Sequence, residues 1–396
     1  MIEALRSGVP SRAVGAFFSD SRPDLMRKIS GRLEQVQETG LSDGMIITGR
    51  YGEGKTHLLN TVFGMASDAN MIVSAISIGK ETPIDKLHLL YQKIMANTYL
   101  PGAVSPGFSQ KLENITAGST LANEMLAFAA KELETDKLFY LFKAYLNTTD
   151  DEEKYAFLCD LEGDFTNNAA IKKSYRRILG QTAKFEHPFS KTKHSLDYFR
   201  FMSHLFSQMG YNGWVILFDE AELIGGMGKK ARAKSYVQMQ RFLNPSKDLE
   251  RLFSVFALSS SFAEDVIDKR QEFQNAADVF PEDPESRAAA ESTLNAMLKA
   301  PELKPLTREE ITEVLRQIQT LHGKAYDWTP AVSEETLYHA TEGGGYLLRT
   351  KIRAAIEFLD QLYQYGEAGE TRIDEVGREC LDEDDTPALD GLEDLS

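Results

Sequence analysis

Eight residues near the start of the chain constrain its fold more than any other feature. Residues 49–56 read Gly-Arg-Tyr-Gly-Glu-Gly-Lys-Thr, which matches the pattern G-x-x-x-x-G-K-[ST]. Glycines let the backbone curl around an anion, so that amide N–H groups and the positive end of the following helix face it. The pattern predicts a phosphate-binding loop in which Lys55 reaches the β- and γ-phosphates of a nucleotide and Thr56 offers its hydroxyl to Mg²⁺.

The flanks of this motif favour that interpretation over a plain glycine-rich turn. Residues 45–48 are a short apolar run that suits a buried parallel strand. Downstream, apolar residues recur at helical spacing through Ala66, so the motif has the strand, loop and helix context that it needs. The residues predicted to contact the nucleotide here are Gly49, Tyr51, Gly52, Glu53, Gly54, Lys55, Thr56 and His57.

A second apolar run, residues 214–218, ends directly in Asp219 and Glu220. If it is a strand beside the phosphate loop, Asp219 is placed to hold Mg²⁺ through its water shell, and Glu220 to orient and deprotonate the attacking water. The alternative is a strand that simply runs into a polar loop.

Two more runs read as strands, residues 71–78 and 252–258. The second ends in three serines, Ser259, Ser260 and Ser261. A hydroxyl at that tip is expected to hydrogen-bond the γ-phosphate or the lytic water, and the alternative is an ordinary helix cap before Phe262.

The rest of the chain reads mainly as helix. Residues 82–209 show no strong strand, and the capping-box pattern Thr307 to Glu310 opens a helix in the C-terminal third. The predicted parts are an N-terminal helical segment (1–44), an ATPase core (45–300) with a helical insertion at about 100–190, a helical lid (301–366), and an acidic tail (367–396) expected to be disordered.

Composition excludes several classes of protein. The 396 residues, 42% of them hydrophobic, suit a globular chain with its own cores. Two distant cysteines, Cys159 and Cys380, fit neither a zinc site nor a disulfide framework. Because no apolar stretch approaches the ~20 residues of a membrane span, we expect a cytoplasmic protein without a membrane partner.

Charge is unevenly distributed along the chain. The net charge is −16, and the tail is rich in acid, whereas basic residues collect in two places. Either group could contact the phosphates of a nucleic acid, and the alternative for each is a solvated helix face. The first group is Lys172, Lys173, Arg176, Arg177, Lys184, Lys191 and Lys193, and the second is Lys229, Lys230, Arg232, Lys234 and Arg241.

The order of phosphate loop, acid-tipped strand, polar-tipped strand and helical lid with an arginine after a glycine turn resembles AAA+ ATPases, most nearly the origin-recognition branch. Residues 4–12, residues 49–59 and the Gly-Gly-x-Leu-Leu-Arg turn more closely resemble the BrxD-type ATP-binding proteins of BREX phage-defence systems. The resemblance extends from the first residues to about Tyr365.

The resemblance implies an α/β fold, an AAA+-like P-loop NTPase with a parallel sheet, a long helical insertion and a C-terminal helical lid. Asp219 and Glu220 would be the Walker B pair, Ser260 the first sensor, and Arg349 the sensor arginine that reaches the γ-phosphate from the lid. Val9 and Pro10 would lie near the adenine. No arginine finger is obvious among Arg241, Arg251 and Arg270.

The phosphate loop and the acid pair predict a Mg²⁺-dependent ATPase. The basic groups and the resemblance together indicate that it acts with or on duplex DNA, and the resemblance implies a role in antiviral defence. Other defence proteins, such as a helicase, methyltransferase or nuclease, are expected partners, and a homo-oligomer is compatible with the family. The alternative is a nucleotide-gated scaffold or loader that recruits a helicase or nuclease with little turnover. A small-molecule kinase is disfavoured, because the C-terminal helices resemble an AAA+ lid rather than an arginine-rich closing lid.

Overall fold

A computed structural model describes Ile2 and residues 22–244, 249–342 and 348–368. The predictions for Val9, Pro10, the glycine turn at 343–345 and the acidic tail from 369 onward lie outside the described residues. The chain divides into two compact units, and the boundary between them falls after Leu306.

The first unit is built on a five-stranded sheet with the order β1-β5-β4-β2-β3. Every pairing in it is parallel except that of β2 with β3. The strands are β1 (Asp43–Gly49), β2 (Ile72–Ser77), β3 (Thr98–Tyr99), β4 (Trp214–Asp219) and β5 (Leu252–Ser259).

Helices cover both faces of this sheet. In chain order they are α1 (Pro23–Thr39), α2 (Lys55–Asp68), α3 (Leu87–Ala96), α4 (Ser109–Leu112), α5 (Thr120–Lys131), α6 (Lys137–Asn147), α7 (Asp151–Cys159), α8 (Asn168–Leu179), α9 (Ser195–Gln208), α10 (Lys229–Leu243), α11 (Glu272–Val279) and α12 (Pro284–Leu298). None of the helices in the described ranges is long and apolar enough to cross a membrane.

The central strands are apolar throughout because both of their faces are covered. Successive side chains alternate between two separate cores, as the period of a strand requires. Val215 and Leu217 of β4 pack with α1 and α2, whereas Trp214, Ile216 and Phe218 pack with the helices of the opposite face. The strands predicted from apolar runs are therefore the buried ones.

The strand β3 differs from the sequence analysis, which expects no strong strand between residues 82 and 209. Two residues are too few to leave a periodic pattern, and tertiary contacts hold them in place. The Thr98 hydroxyl lies 2.7 Å from that of Ser74, which in turn accepts a 2.8 Å hydrogen bond from the Trp214 indole.

The helices between β3 and β4 contain a buried ion pair. Lys137 Nζ lies 2.7 Å from Asp160 Oδ2, and both side chains are fully buried. Tyr198 donates to Asp160 Oδ1 at 2.6 Å, and Lys137 Nζ lies 4.6 Å from the ring centre of Phe189. Since an unpaired buried charge is costly, these partners restrict how α6, α9 and the irregular turn after α7 pack together.

The second unit contains three described helices, α13 (Arg308–Tyr326), α14 (Glu334–Ala340) and α15 (Leu348–Tyr365). The predicted capping box is confirmed, because Thr307 Oγ1 accepts from Glu310 N and the Glu310 carboxylate accepts from Thr307 N. Within this unit His322 is fully buried, accepts from Trp328 Nε1 at 2.9 Å and lies 3.0 Å from Asp360.

The buried ion pair leads to a stability prediction. Replacing Lys137 by Ala leaves the Asp160 carboxylate buried without its cation, which should lower the free energy of unfolding by about 3–5 kcal/mol. Urea unfolding followed by circular dichroism measures this. The exposed Lys131→Ala variant is the control and should stay within about 0.5 kcal/mol of the unmodified chain. Equal stability of the two variants would contradict the role given to the pair.

Candidate nucleotide site

The predicted phosphate loop joins the end of β1 to the start of α2. β1 ends at Gly49 and α2 begins at Lys55, so the loop residues precede a helix N-terminus. Gly52 and Gly54 have φ values of 82° and 92°, which L side chains rarely adopt. Glycines at these two positions are therefore required by the backbone itself.

Internal hydrogen bonds hold the loop closed. The backbone N–H of Arg50 donates to Glu53 Oε2 at 2.7 Å, so the Glu53 side chain shapes the loop. Lys55 Nζ donates to the carbonyls of Gly49 at 2.9 Å and Arg50 at 3.3 Å. The Lys55 side chain is thus folded over the loop, while Tyr51 is exposed.

The acid-tipped strand meets the loop. Thr56 Oγ1 donates to Asp219 Oδ2 at 2.6 Å, although the two residues are 163 positions apart in the chain. A hydroxyl and a carboxylate are the oxygen ligands that Mg²⁺ takes beside a nucleotide, where phosphates and waters complete its shell. Within the described ranges, no group of three or more acidic, histidine or cysteine side chains is placed to hold a metal ion.

The serine-tipped strand β5 lies between β1 and β4, and its end also contacts the loop. Ser259 pairs with Gly49 in the parallel register, and Ser260 N donates to Gly49 O at 3.2 Å. The hydroxyls of Ser259 and Ser261 lie 3.1 Å apart. The tip predicted as a sensor is therefore fastened to the first residue of the phosphate loop.

The model of the family "BREX system ATP-binding protein BrxC/D" matches residues 1–114 and 124–373. The chain belongs to this family. The resemblance to BREX ATP-binding proteins and the P-loop NTPase fold expected from the sequence are confirmed, and ATP is the nucleotide for which the family is described.

Among curated proteins, none matches the chain. Among solved structures, the chain is similar to the Walker-type ATPase PABY2304 of Pyrococcus abyssi. The identity is 13% and the TM-score is 0.36, and the match covers 87% of this chain and 68% of that one.

Glu220 follows Asp219 in a left-handed backbone conformation, with φ of 54°. Its N–H donates to Asp219 Oδ1 at 2.9 Å, and a short 3₁₀ turn, Ala221–Gly226, begins after it. This sharp change of direction turns the chain away from the sheet directly after the two acidic residues.

Two residues that the sequence analysis missed also lie at this site. Glu222, in the 3₁₀ turn, accepts a hydrogen bond from Ser259 N at 3.2 Å through Oε2. Burial raises the pKa of the Glu222 carboxyl, while nearby Lys55 acts in the opposite direction. Arg22 Nη2 donates to Glu53 O at 2.7 Å and braces the loop. The acid spacing Asp-Glu-x-Glu was a usable signal for Glu222, whereas nothing in the sequence pointed to Arg22.

Val9 and Pro10 are outside the described residues, and Arg349 lies in the first turn of α15, in the second unit. Of the arginines considered as fingers, Arg251 donates to Gln37 O at 2.8 Å and Arg270 to Gly225 O at 2.7 Å. Both are therefore engaged within their own unit.

One residue of the second basic group requires a correction. Arg232 is buried and lies 2.6 Å from Glu272, whose side chain is fully buried. It also donates to Met227 O at 2.6 Å. The interpretation of Arg232 as a phosphate contact is wrong, because its charge is neutralised inside the unit.

The loop geometry leads to a binding prediction. Lys55→Ala removes the ammonium that is folded over the loop and should abolish ATP binding. Titration with a fluorescent ATP analogue in the presence of Mg²⁺ measures it. The matched control is Lys28→Ala on the exposed side of α1, which should bind like the unmodified chain. Equal affinity in the Lys55 variant would show that the loop is not the nucleotide site.

Proposed function

We propose that this BREX family member hydrolyses ATP with Mg²⁺. The observation that carries the proposal is the 2.6 Å hydrogen bond between Thr56 and Asp219, which puts a Mg²⁺-type hydroxyl and carboxylate together at the mouth of the phosphate loop. Both residues would hold the ion, and a bound Mg²⁺ would neutralise charge on the phosphates.

The remaining steps belong to the chain's own residues. Lys55 exchanges its loop carbonyl acceptors for phosphate oxygens, and the loop N–H groups contact the same anion. Glu220 orients the attacking water and accepts its proton, while Ser260 contacts the γ-phosphate or that water. Arg349 is proposed to approach the γ-phosphate from the second unit, as in AAA+ proteins. Catalysis then rests on positioning and charge rather than on a covalent intermediate.

Glu220→Gln separates turnover from binding. The amide preserves the shape of the side chain but cannot accept a proton, so ATP binding should persist while hydrolysis is lost. Steady-state phosphate release and analogue titration measure the two properties on the same variant. The control is Glu264→Gln on the exposed surface. Hydrolysis at the unmodified rate would remove Glu220 as the base and favour the nucleotide-gated scaffold.

We further propose that the helical insertion contacts duplex DNA through phosphates. Residues 165–196 include seven lysine or arginine residues and one acid, Glu186. The chain as a whole, in contrast, has a net charge of −16. All seven basic side chains are exposed, including the four on α8. Of these, Arg177 pairs with Glu153, and Lys172 lies over the Phe185 ring.

Charge pairing takes up a larger share of the second basic group than of this surface. Lys229 of that second group lies 2.7 Å from Asp278, and Arg232 is buried against Glu272. Exposed lysine and arginine residues with few acids nearby attract a phosphate backbone more strongly than ion-paired ones do. The surface formed by the seven exposed basic residues between Lys172 and Lys193, here called the insertion surface, is therefore the better candidate for the DNA contact.

Fluorescence anisotropy of a labelled duplex tests this proposal. ATP is expected to promote binding, and affinity should fall on the order of a thousandfold between 50 and 200 mM salt if about six phosphates are engaged. Replacing Lys173, Arg176 and Lys184 by Gln should weaken binding and flatten the salt dependence.

The matched control replaces Lys230, Lys234 and Arg241 by Gln, which changes the net charge equally on the other surface. Equal losses in both triple variants would mean that net charge, rather than the insertion surface, sets the affinity. No binding at low salt in any nucleotide state would leave another defence protein, such as a helicase, methyltransferase or nuclease, as the target.

A further inference from the structure

We infer that Glu222 is a positioning residue that holds the tip of β5 in place for hydrolysis. The inference deepens the proposed ATPase function and rests on it. Glu222 is the third acid of residues 219–222, at the end of β4 and the start of the following turn, and neither the phosphate-loop pattern nor the Walker B pair assigns it a role.

The contact itself is specific. Glu222 Oε2 accepts from the backbone N–H of Ser259, with an oxygen to nitrogen distance of 3.2 Å. Ser259 is the last residue of β5, and its neighbour Ser260 donates to Gly49 O at 3.2 Å. The same short tip is thus fastened on one side to the phosphate loop and on the other to the turn after Glu220.

These hydrogen bonds connect three segments at the edge of the sheet where the phosphate loop lies. Glu220 and Glu222 lie on one turn, Ser259 and Ser260 on the next strand end, and Gly49 at the start of the loop. Without the Glu222 acceptor, the N–H of Ser259 loses this partner, and the serine tip loses its hydrogen bond to the turn after β4. A displacement of about 1 Å in a positioned group can cost a factor of 10² in rate.

A second role for Glu222 is chemically conceivable, and the two make different predictions. A positioning residue needs only an oxygen that accepts a hydrogen bond, so an amide serves. A general base needs a carboxylate, so an amide fails. Glu222→Gln therefore separates the two roles, whereas Glu222→Ala removes both.

The experiment compares Glu222→Gln and Glu222→Ala with the unmodified chain, with Glu282→Ala on the exposed surface as control. If the inference holds, Glu222→Ala lowers kcat by about ten- to a hundredfold with little change in ATP affinity. Glu222→Gln retains most of the rate. Equal inactivity of the two variants overturns the positioning role.

Hydrogen exchange supplies a readout that does not need turnover. The amide of Ser259 should exchange faster in Glu222→Ala than in the unmodified protein, and Glu222→Gln should restore its protection. Unchanged exchange in Glu222→Ala overturns the inference directly. An unmodified protein that binds ATP without hydrolysing it would instead refute the proposed ATPase, while the exchange result still decides whether Glu222 holds the β5 tip.

Discussion

Parallel strands end at the same edge of a sheet, and the nucleotide site of this protein depends on that constraint. β1, β5 and β4 lie side by side in the sheet, so Gly49, Ser259 and Asp219 reach one edge although they are far apart in the chain. A ligand site at the carboxyl ends of such strands is expected for open α/β sheets. The Thr56 to Asp219 hydrogen bond then joins the first turn of α2, which follows the loop after β1, to the end of β4.

Arginine residues hold the turn that carries the acids. Arg232 donates to Met227 O and Arg270 donates to Gly225 O, so two carbonyls of the loop after β4 are fastened from outside. Arg232 is itself fixed by the buried Glu272. Glycines in this loop would otherwise leave it free to move, because glycine restricts the backbone least. Arg232, predicted as a possible phosphate contact, and Arg270, considered as an arginine finger, therefore both hold the loop that follows Glu220.

In the described part of the first unit, two ion pairs have both side chains buried, Lys137 with Asp160 and Arg232 with Glu272. Desolvation makes such pairs weak sources of net stability, but breaking one leaves a costly lone charge. They consequently select one packing of the helices over others. In the insertion, α8 has its basic side chains exposed, on a chain whose overall charge is acidic.

The sequence by itself determined the phosphate loop, the buried strands and the capping box at Thr307, because each depends on residues that are close in the chain. These features are patterns of neighbouring residues: glycine at positions 52 and 54, apolar runs, and a Thr to Glu spacing. They can therefore be recognised without knowledge of the tertiary structure. The roles of Asp219, Glu220, Ser260 and Arg349 remain predictions that only biochemistry tests.

The tertiary structure alone decided which distant groups meet. Nothing local marks β3, since its Thr98 is held by Ser74, which in turn is held by the Trp214 indole. Nothing local reveals that Arg232 is buried or that Glu222 contacts Ser259, because both partners are set by how strands and helices pack. The sequence does not distinguish a charged residue that faces water from one that faces an opposite charge. Only the packing of the folded chain determines which of these environments the residue has.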